Sequence, residues 1–474
     1  MAITLLQDVA HKEMPAGTDW VFTISSTNVG NYKFKYFADL YIDTTAGTHQ
    51  IKLKFSPNAT GSGVINLSDI LEQYVSSDNL GSIYTGIESA FKGVDNIAGF
   101  QCPIHCIDKL SLNTTNVQRL SILWGEEYSV NATDAPTEYP AQLISADYLF
   151  WDGVAYNNEQ ENIASEYGIN LTNWNSSNYI MNTTTSKFLT DASTGDTQNT
   201  GQLIGDNDYA TLAFLNGFFG AGHSKPDSYT IAFYNNIGQL LSEIFTPINA
   251  VNGGYDAIGD VGHITSEKHL QYIGVGTANM LGAGITIPPT WSSYSVFLTE
   301  GATDPAPKVS DIYTYHKKGD DCKGFEKIRL TWINKYGVWD YYNFTKKSTR
   351  STNIKRKEFN TIKGDWNSSS FAKYGYERGN GVLSTSATET MSLNSDWFTS
   401  DEEAAWLEQL FISPEVYILG GYDAVDTPYA NYGNYMTPVI VTNNSYDKYT
   451  RANDKVAQYE IDIEYSINKR IQRA

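Results

Sequence analysis

The segment of residues 329–344, RLTWINKYGVWDYYNF, constrains the fold more than any other part of this sequence. Apolar residues alternate on both sides of an Asn-Lys-Tyr-Gly turn, which is typical of an antiparallel β-hairpin. The residues that carry the pattern are Ile328, Leu330, Trp332, Trp339, Tyr341, Tyr342 and Phe344. Large flat side chains on paired strands are suited to packing, and the segment contains neither a metal-ligand set nor a phosphate loop. It predicts an aromatic β-hairpin.

The composition indicates a mainly β protein. The 474 residues are too many for one ordinary core and predict two to four domains. Tyr, Thr, Asn, Gly and Trp are abundant, whereas sustained runs of Ala, Leu, Glu and Lys are scarce. We therefore expect several domains that resemble β-sandwiches, with a few short helices.

Changes in pattern along the chain predict three domains. Residues 1–135 combine alternating strands at 32–42, 49–55 and 117–128 with one short helix near 67–75, capped by Asn66 or Ser68. Residues 136–300 are rich in Asn, Thr and Gly and contain short strands, including a hairpin over 229–245. The stretch 301–311 has the composition of a linker.

The third predicted domain, residues 301–474, contains the aromatic hairpin and one capped helix. Ser400 and Glu403 form a capping-box pattern before an apolar run that ends at Ser413-Pro414. A strand is predicted at 416–419, and a second over 459–467, where apolar residues alternate with Glu460, Asp462 and Glu464.

The net charge of −20 restricts the partners of this chain. An acidic surface repels nucleic acid and anionic membranes on average, which disfavours both as partners. The N-terminus lacks the pattern of a secretory signal, and the apolar run at 212–219 is far shorter than the roughly 20 residues that span a bilayer. We expect a soluble protein that is made and folded in the cytoplasm.

Candidate chemical motifs have simpler structural interpretations. Cys102, His105 and Cys106 could begin a zinc site, but Cys322 is the only other cysteine, and buried structural cysteines explain the pattern better. The solvent-exposed face of a strand explains the alternating Glu460, Asp462 and Glu464 better than a calcium site or an acid/base pair does. No nucleophile elbow, zinc-protease motif or phosphate loop occurs. We expect no enzymatic activity, no metal and no cofactor.

A basic run follows the aromatic hairpin directly. In so acidic a chain, this run could bind an acidic neighbouring subunit, although a solvated loop is the simpler interpretation. Together with three hairpin aromatics, it forms the set of candidate partner contacts: Trp332, Trp339, Tyr341, Lys346, Lys347, Arg350, Lys355, Arg356 and Lys357.

Three stretches resemble segments of structural proteins from tailed bacteriophages. They are FKYFADLYI with the following IKLKFSPNATGSGVINLSDILEQYV, the hairpin WINKYGVWDYYNF, and DKVAQYEIDIEYSINKRIQR near the end. The resemblance implies a virion component of the tail, neck or baseplate region, which would contact copies of itself and other virion proteins. It implies no active-site residues.

Two functional classes therefore remain open. The first is a non-enzymatic assembly or adaptor subunit of a virion tail, in which sheet edges and aromatic residues form the interfaces. The alternative is a tail protein that binds, or binds and cleaves, a host-surface glycan, because Trp and Tyr stack on sugars and paired carboxylates hydrolyse them. A nucleic-acid-binding role for residues 346–357 ranks below both.

Overall fold

The computed structural model describes a mainly β chain. The residues described are 3–9, 11–42, 51–77, 116–144, 147–155, 161–165, 168–171, 178–181, 183–194, 202–215, 226, 228–247, 270–282, 285–301, 305–318, 325–366, 369–376, 379–398, 400–420, 436–443, 445 and 458–467. They divide into two compact units. The first comprises Met1–Gly319, Ile333–Tyr341 and Gly421–Ala430, and the second comprises Asp320–Trp332, Tyr342–Gly420 and Asn431–Ala474. The predicted boundaries near 135 and 300 stay predictions.

The strands up to residue 319 form five sheets. They are β1 (Ile3–Gln7), β2 (Glu13–Pro15), β3 (Val21–Ser26), β4 (Tyr32–Ile42), β5 (Ile51–Phe55), β6 (Gly63–Asn66), β7 (Val117–Ser129), β8 (Thr137–Ile144), β9 (Tyr148–Trp151), β10 (Glu161–Ser165), β11 (Gly168–Leu171), β12 (Gln202–Ile204), β13 (Thr211–Leu215), β14 (Ser228–Tyr234), β15 (Leu240–Pro247), β16 (Leu270–Gly274), β17 (Ser293–Thr299) and β18 (Tyr313–Lys317). The helices among the described residues of this stretch are α1 (Ser68–Leu71), a 3₁₀ helix (Glu72–Tyr74) and α2 (Thr277–Gly282).

The first two sheets form a β-sandwich. A three-stranded sheet, β1-β3-β6, packs against a six-stranded sheet in which β2, β9, β7, β4 and β5 are neighbours and β8 also pairs with β7. Aromatic rings fill the space between the sheets: the Phe22 ring lies 5.5 Å from Trp124 and 5.6 Å from Tyr148. The alternation at 32–42 produces β4, as the sequence predicts, because one face of this strand supplies the core.

The predicted helix near residue 67 is shorter than expected and has a different cap. Leu67 occupies the N-cap position and makes no side-chain cap hydrogen bond. Asn66 contributes from one residue earlier, since its side-chain oxygen accepts hydrogen bonds from the backbone nitrogens of Trp20 and Ser68 at 3.1 Å each. The α-helix then tightens into the 3₁₀ helix, and Leu71 packs into the sandwich core.

The next sheet runs β12-β18-β17-β14-β15, and the predicted hairpin of β14 and β15 lies at its edge. The stretch 301–311, which has a linker composition, connects β17 and β18, and these two strands pair with each other. Val309 and Ser310 are buried, and the Ser310 hydroxyl accepts a hydrogen bond from the Leu298 nitrogen at 2.8 Å. The Pro and Gly residues of the stretch 301–311 therefore belong to a connection within one sheet. Two further sheets, β10-β11 and β13-β16, have two strands each.

The remaining strands form one seven-stranded sheet in the order β20-β19-β23-β24-β25-β22-β21. They are β19 (Ile328–Ile333), β20 (Trp339–Phe344), β21 (Ser348–Asn360), β22 (Asn380–Asn394), β23 (Val416–Leu419), β24 (Met436–Val441) and β25 (Glu460–Tyr465). Helix α3 (Asp401–Ile412) covers part of this sheet: the Trp406 ring lies 5.4 Å from Trp332. Ser400 caps α3 as predicted, but its hydroxyl accepts from the Glu402 nitrogen instead of Glu403.

An ion-pair cluster crosses the outer face of the six-stranded sheet. The Nζ atoms of Lys52 and Lys54 lie 2.7 and 2.6 Å from the Glu138 carboxylate, and Lys54 also pairs with Glu127. Hydrogen bonds from the two lysines lower the pKa of Glu138 to about 2, from its ordinary value of 4.5. The folded state therefore holds this carboxylate in its charged form at pH values where the unfolded chain would protonate it.

This cluster predicts a specific pH dependence of stability. A lowered pKa contributes stability that is fully present above pH 4.5 and is lost as the pH falls towards about 2. We expect the thermal midpoint of Glu138→Gln to fall less steeply than that of the unaltered protein between these pH values. The difference is modest because the site is partly exposed, and 1 M salt reduces it. Thermal melts at a series of pH values check this, and parallel profiles would contradict it.

Candidate functional site

The most exposed element of the second unit is a long two-stranded ribbon. We call residues 348–394 the arm: β21 and β22 pair in antiparallel register from Ser348 opposite Leu393 to Asn360 opposite Asn380. Among the described residues, β21 is the last strand of the sheet, and β25 pairs only with Thr390–Asn394 of β22. The distal ten residues of β22 therefore pair with β21 alone, over roughly 30 Å at the ordinary rise per strand residue.

The basic run lies on the exposed strand of this arm. Every residue of β21 after Ser348 is exposed. In the part of the chain that the structure describes, Lys355, Arg356 and Lys357 form no ion pair. Nearer the base of the arm, Lys346 lies 2.9 Å from Asp396 and Arg350 pairs with Glu326, while Lys347 is exposed. Among the described residues, nothing pairs with these three charges, which face solvent.

The arm tip, residues 361–379, carries exposed aromatic side chains. The exposed fractions are 69% for Trp366, 56% for Phe371, 57% for Tyr374 and 80% for Tyr376. The Trp366 and Phe371 rings lie 4.8 Å apart, and those of Tyr374 and Tyr376 are stacked at 5.6 Å. Trp, Tyr and Arg are the residue types that most often dominate the binding energy of protein interfaces. Large exposed apolar patches on soluble proteins are often interaction sites.

Local hydrogen bonds order this tip. A β-bridge joins Asp365 to Ala372, and the Trp366 indole nitrogen donates to the Lys363 carbonyl oxygen at 2.9 Å. Gly364 between them has φ +82°, a backbone conformation that favours glycine. The rings are therefore held in a defined local arrangement although they contact little else in the described chain.

The aromatic members of the predicted contact set lie in the interior instead. Trp332, Trp339 and Tyr341 have exposed fractions of 0, 2 and 6%. Trp332 packs against Trp406, and the Tyr341 hydroxyl lies 2.8 Å from the Thr211 hydroxyl. These three side chains belong to the protein's own core, so only the basic residues of the predicted set reach solvent. Alternation predicts the strands of the hairpin correctly but cannot tell a core surface from an interface.

A buried polar network surrounds the turn of the aromatic hairpin. The Asn334 amide donates to the Leu189 carbonyl oxygen and to Asp340, each at 3.0 Å, and Asp340 also accepts from the Thr190 hydroxyl at 2.7 Å. The Tyr336 hydroxyl donates to Asp191 at 2.7 Å. Burial raises the pKa of Tyr336, so its hydroxyl stays protonated. These groups hold one another in place around the turn.

The other predicted candidates are three cysteines and three acidic residues of one strand. Cys102, Cys106 and Cys322 lie outside the described residues. Glu460, Asp462 and Glu464 lie on β25, where the Glu460 carboxylate accepts from the Ser392 hydroxyl at 2.7 Å. No group of three or more His, Cys, Asp or Glu residues that could hold a metal occurs in the described ranges. None of the helices in these ranges is both long and apolar enough to cross a membrane.

Sequence reasoning missed the arm, since residues 346–357 favoured a loop. β21 lacks the apolar alternation of a half-buried strand because both of its faces are exposed to solvent. The usable signal was in the partner strand, which is rich in β-branched residues: Val382, Thr385, Thr388 and Thr390.

Comparisons with known proteins give only remote similarities. No protein family and no curated protein matches this chain. A chain from the tail of an empty gene transfer agent particle with C6 symmetry is similar over 31% of this chain and 96% of its own length, with 12% identity and a TM-score of 0.16. A chain of a native gene transfer agent virion covers 33% of this chain and 100% of its own length, with 11% identity and a TM-score of 0.16.

An alpha-2-macroglobulin from Escherichia coli is also similar, with 7% identity and a TM-score of 0.18 over 97% of this chain. This chain spans about a quarter of the length of that protein, 24%. At such TM-scores none of the three similarities carries an argument about fold or function. The class that the described structure itself defines is a mainly β protein with an exposed, aromatic-tipped arm.

Proposed function

We propose that this protein is a non-enzymatic structural subunit of a phage-type virion, in the tail, neck or baseplate region, and that the arm joins it to neighbouring virion subunits. The observation that carries the proposal is the arm itself. Every residue of β21 after Ser348 is exposed, the distal residues of β22 are exposed or half-buried, and a two-stranded ribbon on its own is at best marginally stable in water. A partner that covers the ribbon would supply the apolar burial that the ribbon lacks.

The composition of the arm supports a protein partner. Its exposed aromatic tip supplies anchors of the kind found at the centre of interfaces, and its basic strand supplies charge for orientation and selectivity. The resemblance of three segments to structural proteins of tailed bacteriophages is consistent with this role. The two gene transfer agent chains come from a tail and a virion, but their TM-scores are too low to add weight.

A shortened arm tests this proposal. Residues 361–379 are replaced by Asn-Gly, which favours a tight hairpin turn between β21 and β22. We expect the shortened protein to keep its circular dichroism spectrum and thermal midpoint, because the arm contributes little to the core. We also expect at least a tenfold loss of incorporation into particles released by a host that encodes the protein, measured by mass spectrometry of purified particles.

Two results would oppose the proposal. If the unaltered protein is absent from purified particles, the virion role is wrong. If the shortened protein enters particles as well as the unaltered one, the arm is not the contact.

The glycan-binding alternative rests on the same exposed rings, because Trp366 and Tyr374 could stack on sugars. Binding of the unaltered protein to a glycan array, lost in Trp366→Ala, would favour that alternative over an assembly role.

A further inference from the structure

We infer that the arm docks on the body of a second copy of this chain, so that each copy donates an arm and accepts one. Here the body means all residues outside 348–394. The inference rests on the proposed assembly role and names the partner of the arm. It follows from how charge is distributed between arm and body.

The arm and the body have opposite net charges. The arm contains seven Lys or Arg and four Asp or Glu residues, a net charge of +3. The body contains 26 Lys or Arg and 49 Asp or Glu residues, a net charge of −23. Every copy therefore carries an excess of acidic residues, with which Lys355, Arg356 and Lys357 form no ion pair among the described residues. Complementary charge of this kind speeds association and selects the correct partner.

The same charges decide the geometry of the contact. Arm against arm would place positive strands together, and body against body would place acidic surfaces together. Only an arm on a body joins opposite charges. The donor and acceptor surfaces are then different. A reciprocal exchange of arms between two copies gives a two-fold dimer, and a one-way contact gives a closed ring or an open filament.

The arm tip is suited to the centre of this contact. Trp366, Phe371, Tyr374 and Tyr376 form an exposed apolar cluster beyond the basic strand. Interface cores are enriched in aromatic residues, while charged residues lie at the rim. The rings would be buried on the acceptor, and the basic residues would pair with acidic groups around them. Added salt should therefore weaken the contact.

The experiment uses the full chain and two matched charge variants. The arm variant is Lys355→Glu, Arg356→Glu and Lys357→Glu. The control variant is Lys12→Glu, Lys33→Glu and Lys35→Glu, which changes three exposed lysines of the body by the same total charge. Light scattering at several protein and salt concentrations gives the mass of each.

We expect the unaltered protein and the control variant to self-associate and the arm variant to be at least tenfold weaker. Mixing the arm variant with the unaltered protein then tests whether the arm docks on a body. The arm variant still has an acceptor surface, so an excess of it should convert the unaltered protein to complexes of two chains. If the arm variant does not bind the unaltered protein, the contact is not an arm on a body. If the control variant loses association equally, the arm is not the site.

A further variant guards against misfolding caused by charge reversal. Trp366→Ser with Tyr374→Ser and Tyr376→Ser removes exposed rings only, and we expect the same loss of self-association with an unchanged thermal midpoint. A strict monomer of the unaltered protein at all concentrations would overturn the second copy as partner. The incorporation experiment with the shortened arm would still decide the assembly role separately.

Discussion

Replacing Trp332 by Ala is expected to lower the free energy of unfolding by about 3–5 kcal/mol, the usual cost of removing a fully buried aromatic side chain. Trp332 has no exposed surface, and its ring packs 5.4 Å from that of Trp406. The loss combines apolar area returned to water with a cavity that strands and helix cannot close. Denaturant unfolding followed by circular dichroism measures it.

Trp366→Ala is the matched control, because it removes the same side chain from the arm tip, where 69% of it is exposed. We expect the free energy of unfolding to change by less than about 0.5 kcal/mol, as for most surface substitutions. Self-association should show the reverse pattern: Trp366→Ala weakens it, whereas Trp332→Ala does not. Equal losses of stability in both variants would contradict the division into an interior hairpin and an exposed tip.

Gly337→Ala, in the turn of the aromatic hairpin, is expected to lower the free energy of unfolding strongly. Gly337 has φ +72°, and a Cβ atom there would lie 1.8 Å from the carbonyl oxygen of Asp152. A positive φ alone costs an alanine about 1–2 kcal/mol, and the clash with backbone adds to this. We expect a loss of at least ~3 kcal/mol in the free energy of unfolding, which falls in the large-effect range of single substitutions.

Gly238→Ala separates these two causes. Gly238 also lies in a hairpin turn and has φ +76°, but no atom lies within 4 Å of a Cβ built there. This variant should lose only the conformational part, about 1 kcal/mol. Chemical denaturation of both variants provides the comparison. A loss for Gly337→Ala no larger than that for Gly238→Ala would show that the turn can move away from Asp152.

Strands with one buried face could be predicted from the sequence because their side chains alternate. β4, β7 and the two strands of the aromatic hairpin lie where the apolar residues predict them. The mainly β class followed from the same signal together with composition. These features depend on neighbours along the chain, and sequence order preserves that information.

Phe37 shows what local pattern cannot contain. It lies on the outer face of β4, among the positions where the alternation predicts polar residues, yet it is only 2% exposed. Its ring covers Gly125 on β7, where a Cβ atom would lie 2.0 Å from the ring, and the Lys52 ammonium lies 4.5 Å from the ring centre. This packing joins three strands separated by many residues, so the pattern of β4 alone could not predict it.

The sequence by itself determined the β class, the positions of the half-buried strands and a basic run in an acidic chain. Only the tertiary structure decided that this run is a strand of an exposed arm and that Trp332, Trp339 and Tyr341 are interior. The physical reason is that periodicity records which side of a strand is apolar, whereas exposure depends on what packs against that side. The packing involves segments that are distant along the chain.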